Sequence, residues 1–199
     1  MEEIDYNAAR VLDHLKKQGI EQDTIVIFTS DNGSWLSKGR NGGSAKPLFE
    51  GKFTGFEGGQ CVPCVVCWPD TIPAGSVCSE MAFSIDLLPT LANISGTAVP
   101  DGIDGKDILG LWKDQGAKTP HDHFFYVFQG KAVRSGKWKY HRKEVFKVKE
   151  TTRESDGPTL YNLEEDIGEA NNVIDEHPEV AERLDRALQT HLDRISKKN

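Results

Sequence analysis

Three short stretches of this 199-residue chain hold side chains of types that can do chemistry. The first is Asp31-Asn32-Gly33, which follows the β-branched and aromatic run Thr24-Ile25-Val26-Ile27-Phe28-Thr29. A carboxylate beside an amide carbonyl offers two hard oxygen donors, which suit Ca²⁺ or Mg²⁺ better than a softer metal. Two donors fall short of a full coordination sphere, and the same tripeptide is also an ordinary turn, because Asp and Asn side chains bond their own backbone. The second stretch is Gly51-Lys52, with Glu57-Gly58-Gly59 behind it. A glycine-flanked lysine can bring its ammonium against an oxyanion without side-chain obstruction, although an exposed loop lysine has the same signature. The third is Cys61, Cys64 and Cys67 at C-x2-C-x2-C spacing, with Cys78 further on. That spacing invites a metal or iron–sulfur reading. On an extended strand Cys61 and Cys64 point to opposite faces, so the expectation is buried structural thiols that behave as small hydrophobes. His121 and His123, two apart, are expected in a solvated loop.

The elements that must position these residues follow from apolar spacing. Ile4, Ala8, Val11, Leu12 and Leu15 recur at helical intervals before Gly19, which predicts an amphipathic helix over 3–18. The run 24–29 predicts a strand covered on both faces by helices, with ligand-binding residues beyond its carboxyl end. Residues 33–57 are rich in glycine and poor in apolar periodicity, so they predict a long loop of the kind that is usually functional. A second buried strand is expected over 61–68, and a deeply buried helix over 85–95 that Gly96 stops. From about residue 119 the pattern changes to antiparallel strands at 124–128, 132–134 and 138–140, with further β pieces at 145–148 and 159–161. Pro178 then opens an amphipathic helix carrying Val180, Leu184, Leu188, Leu192 and Ile195 on one stripe. These readings place 1–118 in an α/β portion and 119–199 in a small antiparallel sheet with one helix.

Composition narrows the function. With 24 Lys+Arg against 31 Asp+Glu the formal charge is −7, and the pI is about 5.4. A nucleic-acid partner is not expected, because such proteins cluster basic residues and have a high pI. No apolar run reaches the roughly 20 residues needed to cross a bilayer, and the first 30 residues are charged throughout, so neither a membrane partner nor a signal peptide is expected.

Taken together and in order, the motifs resemble the carboxyl-terminal part of a formylglycine-dependent sulfatase of the arylsulfatase type, within the alkaline-phosphatase-like superfamily. The matching residues are Asp23 to Gly33, Pro47-Leu48, Gly51-Lys52, Glu57-Gly58-Gly59, Val62-Pro63, Trp68-Pro69 and Asp86-Leu87-Leu88-Pro89-Thr90-Leu91. The closing run Leu160-Tyr161-Asn162-Leu163-Glu164-Glu165-Asp166, with Gly168-Glu169 and Asn171-Asn172, belongs to the same resemblance. It implies the carboxyl-terminal part of an alkaline-phosphatase-like α/β sheet, followed by a small antiparallel sheet packed with a terminal helix. It also implies that Asp31 and Asn32 are ligands of Ca²⁺, with Mg²⁺ as the alternative, and that Lys52 is a catalytic, sulfate-binding lysine. The substrate would be an aryl or sugar sulfate ester, hydrolysed by the complete enzyme.

The formylglycine that the resemblance requires arises from a C/S-x-P-x-R motif in the family's amino-terminal half, outside these residues. Cys61-Val62-Pro63-Cys64-Val65 starts like that motif but has Val65 where arginine is required. The chain also departs from the family pattern at Cys61, where arginine is common, and at Phe53 and Gly55. The chain alone is therefore expected to be inactive and to self-associate through apolar sheet edges. An exported location is implied by the resemblance only. The rival readings are a phosphoester or phosphonate hydrolase of the same superfamily and a non-catalytic binding module.

Overall fold

The computed structural model describes residues 2–126, 131–143, 155 and 157–197. The β piece expected at 145–148 and the last residues of the strand expected at 124–128 lie outside them. Two units emerge, each made from two separate stretches of sequence: Met1–Thr29 with Pro63–Pro120, and Ser30–Val62 with His121–Asn199.

The first unit opens with helix α1, Glu2–Gln18, whose acidic first turn and Lys16-Lys17 last turn both complement the helix dipole. The helix forms as its spacing predicts, but Ile4, Val11 and Leu12 on its apolar stripe are exposed. Strand β1, Val26–Thr29, pairs antiparallel with β2, Cys64–Cys67, placing Val26 opposite Cys67 and Thr29 opposite Cys64. Both strands were expected to be buried, and here the structure corrects the reading: Phe28 is 52% and Val65 62% exposed. All four cysteines are free thiols on the surface rather than buried structural ones. Apolar content marks a strand that can be covered, and nothing among the described residues of this unit covers these faces.

Helix α3, Leu87–Ser95, follows a single 3₁₀ turn at Ser84–Asp86 and ends at Gly96 in the left-handed conformation, the form of helix stop that glycine favours. Deep burial was expected along it; Pro89, Thr90 and Ala92 are buried, whereas Ile85, Leu88 and Leu91 are exposed. The buried Asp86 carboxylate accepts the backbone N–H groups of Phe83 and Lys106, each at 2.8 Å. The Thr90 hydroxyl donates to the Asp86 carbonyl at 2.6 Å and accepts the Ile108 N–H at 2.9 Å. These two side chains therefore stitch the segment before helix α4, Leu109–Lys113, onto α3.

The second unit contains a short helix α2, Glu57–Gln60, and a four-stranded antiparallel sheet in the order β3-β4-β5-β6. Its strands are β3 Phe124–Tyr126, β4 Ala132–Ser135, β5 Trp138–His141 and β6 Thr159–Asn162. Helix α5, Pro178–Ser196, lies on the sheet with Leu184 and Leu188 fully buried against Val133, Tyr140 and Leu160. Asp185 adds polar ties, accepting from the Tyr140 hydroxyl at 3.0 Å and from Arg142 Nε at 2.8 Å. Burial first and the Asp185 carboxylate second push the Tyr140 phenol up to about 12.

Candidate functional site

Asp31, Asn32 and Lys52 all fall in the second unit, where the backbone laces their two stretches together. The Gly33 N–H donates to the Gly59 carbonyl at 3.1 Å, and the Lys52 N–H donates to the Ser34 carbonyl at 2.8 Å. Both crossings need glycine. A Cβ on Gly33 would sit 1.8 Å from the Gly58 carbonyl oxygen, and one on Gly51 would sit 2.2 Å from that of Ser34. The Ser30 hydroxyl donates to the Asn32 carbonyl at 2.9 Å and closes the turn. Asp31 is exposed and Asn32 half-buried, so both side chains can meet a ligand. Their donor chemistry fits a hard divalent cation, which takes six or more oxygens and thus needs further donors. Among the described residues no three His, Cys, Asp or Glu side chains gather as a metal site.

The backbone around Lys52 is strained on both sides. Glu50 has φ +60° and Phe53 has φ +75°, and a bulky aromatic in the left-handed region is a genuine outlier of the kind that clusters at functional sites. The Lys52 ammonium lies over two aromatic faces, 4.9 Å from the Trp35 ring centre and 5.2 Å from that of Phe53. The two rings meet edge to face at 5.7 Å. A second ammonium, that of Lys38, lies 4.6 Å from the Trp35 ring centre. Among the described residues no carboxylate forms an ion pair with Lys38 or Lys52. Reasoning from sequence noted Phe53 only as a departure and missed Trp35 and Lys38. The available signal was the presence of aromatic residues, Trp35 and Phe53 among them, inside a glycine-rich loop.

Glu57, grouped in the sequence with its glycines, is the centre of a buried ionic cluster. Its carboxylate receives Lys139 Nζ at 2.9 Å, Arg134 Nη1 at 2.6 Å and the Tyr126 hydroxyl. Lys139 Nζ is also 2.9 Å from the Glu169 carboxylate, which in turn accepts the backbone N–H of Glu57 at 2.8 Å and lies 3.2 Å from His141 Nε2. Burial alone would raise the Glu57 carboxyl, but Lys139, Arg134 and the Tyr126 hydrogen bond outweigh it and hold the group at about 2. Glu169 is lowered for a similar reason, with burial opposed by Lys139 and His141. Burial, with Glu57 next, drives the Tyr126 phenol well above its usual range. Lys139 and Arg134 carry no local motif, and Glu169, although part of the closing run matched above, shows no sign in sequence of its distant partner Glu57.

The histidines also differ from expectation. His121 is buried rather than solvated, and His123 is half-buried with its ring stacked on Phe125 at 5.7 Å. Burial holds the His123 imidazole below its usual value.

Residues 46–198 match the family model described as N-sulphoglucosamine sulphohydrolase, C-terminal. The chain is 35% identical over 209 residues to arylsulfatase A from Bos taurus, covering 94% of this chain and 40% of that protein. It is 38% identical to N-acetylgalactosamine-6-sulfatase from Canis lupus familiaris, covering 70% of this chain and 27% of that relative. Among solved structures, the Ps i-CgsB complex with k-i-k-neocarrahexaose matches with a TM-score of 0.78 and 27% identity, over 94% of this chain and 40% of that one. The PsFucS1 sulfatase from Pseudoalteromonas sp. shares the fold at a TM-score of 0.84 and 23% identity, over 98% of this chain and 42% of that one. The chain thus spans about 40% of the length of arylsulfatase A.

Proposed function

The chain belongs to the sulfatase family, with a sulfatase carboxyl-terminal domain, and we propose that it supplies one part of the active site of a sulfuric ester hydrolase. The observation that carries this reading is the backbone lacing of Asp31-Asn32-Gly33 and Gly51-Lys52, which sets a carboxylate, an amide and an unneutralised ammonium in one loop layer. The exposed stripe of α1 and the bare faces of β1 and β2 support a chain that completes its sheet with residues beyond it.

In this proposal Lys52 binds a sulfate oxygen and offsets the charge that develops as the ester oxygen leaves, a preorganised electrostatic role. Asp31 and Asn32 would hold a hard divalent cation, Ca²⁺ or Mg²⁺, which supplies Lewis-acid polarisation of the sulfate. The formylglycine nucleophile would come from outside this chain. The substrate class is a sulfate ester of a sugar or an aryl alcohol, and the compartment an exported one.

The 199-residue chain alone is expected not to turn over 4-nitrophenyl sulfate. In a complete sulfatase carrying it, Lys52→Ala and Asp31→Ala each lower kcat/KM by about a hundredfold or more. Activity within about threefold of the parent in both variants would leave the chain as a non-catalytic module. Its bare apolar surfaces predict concentration-dependent self-association by light scattering, and a stable monomer at every concentration would count against the idea of an incomplete sheet.

A further inference from the structure

We propose that Trp35 gathers Lys38 and Lys52 into a two-lysine anion site, in which Lys38 takes a second anionic group of the same sulfated sugar. The inference rests on the sulfatase reading for the role of Lys52, and extends it to Lys38, Trp35 and the substrate class.

An ammonium can be held in place in two ways. A carboxylate holds it strongly and cancels its charge. An aromatic face attracts it through the ring quadrupole, leaving the positive charge and the N–H donors available. Lys52 and Lys38 are both held in the second way, at 4.9 Å and 4.6 Å from the same indole. Bringing two like charges to one ring raises the local positive potential, an unfavourable arrangement that an arriving polyanion relieves. Phe53 supports the indole edge to face despite a backbone at φ +75°, so the local chain accepts strain to keep the second ring there. Trp35 and Phe53 are exposed at 41% and 40%, which leaves the pair open to a ligand. A single sulfate satisfies one lysine; a sugar with a second anionic group meets both.

The test is a titration of the isotopically labelled full chain, followed by NMR at the Gly51 and Lys52 amides. The probes are N-acetylglucosamine 6-sulfate, with one anionic group, and glucosamine 2-N,6-O-disulfate, with two. The disulfate binds about tenfold more tightly than the monosulfate, as expected for one added charge-assisted contact. Lys38→Met removes that advantage and leaves monosulfate binding within about twofold, whereas Lys52→Met weakens both probes. Trp35→Ala lowers disulfate affinity as far as Lys38→Met does, and Trp35→Phe, which keeps an aromatic face, returns it to within about threefold. A dispersed spectrum for each variant shows that it folds.

Equal affinity for the two probes in the parent chain overturns the proposal, as does the absence of a saturable shift with the disulfate up to about 50 mM. So does undiminished disulfate binding in Lys38→Met or Trp35→Ala. If Lys38→Met changes nothing while Lys52→Met weakens the monosulfate, this inference fails and the role proposed for Lys52 survives. Loss at Lys38 with none at Lys52 refutes the pairing and the Lys52 role together.

Discussion

Two lysines of the second unit, Lys139 and Lys52, show what surroundings do to one side chain. Lys139 is fully buried between the Glu57 and Glu169 carboxylates, 2.9 Å from each. Lys52 is half-buried and rests on the Trp35 and Phe53 rings, without an ion pair among the described residues. Lys139 is neutralised, so its charge holds the protein together and offers nothing to a ligand. Lys52 contributes little to stability, and its charge stays available at the aromatic faces. The two regions meet in the chain at Glu57, five residues after Lys52, where the buried cluster fixes one end of the strained loop.

The largest expected effect lies on the buried side. Glu57→Gln or Lys139→Met leaves an uncompensated buried charge and should cost about 3–5 kcal/mol, read as a fall in denaturation midpoint by circular dichroism. A loss under about 1 kcal/mol in both would mean that the cluster is not what anchors the loop. Next comes acid. The Glu57 carboxyl, at about 2 instead of 4.5, has its folded value depressed, so its contribution is fully present above pH 4.5 and is lost as pH falls toward 2. Urea midpoints measured across that range should drop in the parent chain and drop less in Lys139→Met, where much of the depression is gone. Smaller again, Tyr140→Phe removes the hydroxyl from Asp185 and should cost about 1 kcal/mol while leaving anion binding unchanged. At the bottom of the order, Lys52→Met should shift stability by less than about 0.5 kcal/mol. If Lys52→Met destabilised as much as Lys139→Met, the contrast between the two lysines would collapse.

Local pattern foretold some of this and was silent on the rest. Both terminal helices were legible from their apolar spacing, and α5 buries Leu184 and Leu188 as that spacing implies. The same kind of stripe on α1 buries no residue. Periodicity reports that a helix has a face, whereas burial of that face depends on what else is present. Exposure of Phe28, Val65 and the cysteines has the same cause. The Asp31-Asn32-Gly33 and Gly51-Lys52 stretches were visible because glycine and short polar residues mark backbone crossings. Trp35 and Lys38 were hidden because a cation on a ring has no fixed spacing. Lys139 was hidden because its partners lie 82 and 30 residues away in sequence, at the start of α2 and on the closing segment. A stretch that carries the family resemblance can also be structural: Asp86 and Thr90 spend their polar groups on backbone partners.

The hydrogen bond from the Glu57 backbone to the Glu169 carboxylate joins positions separated by 112 residues. During synthesis, the loop bearing Lys52 therefore leaves the ribosome long before the residue that secures it exists. Until then Glu57 has no Glu169 to receive its N–H, and closing so long a segment is entropically slow. The loop bearing Lys52 should be among the last parts of the unit to acquire its native shape. A nascent chain arrested before Glu169 would leave that loop accessible to proteases, and one extended through α5 would protect it.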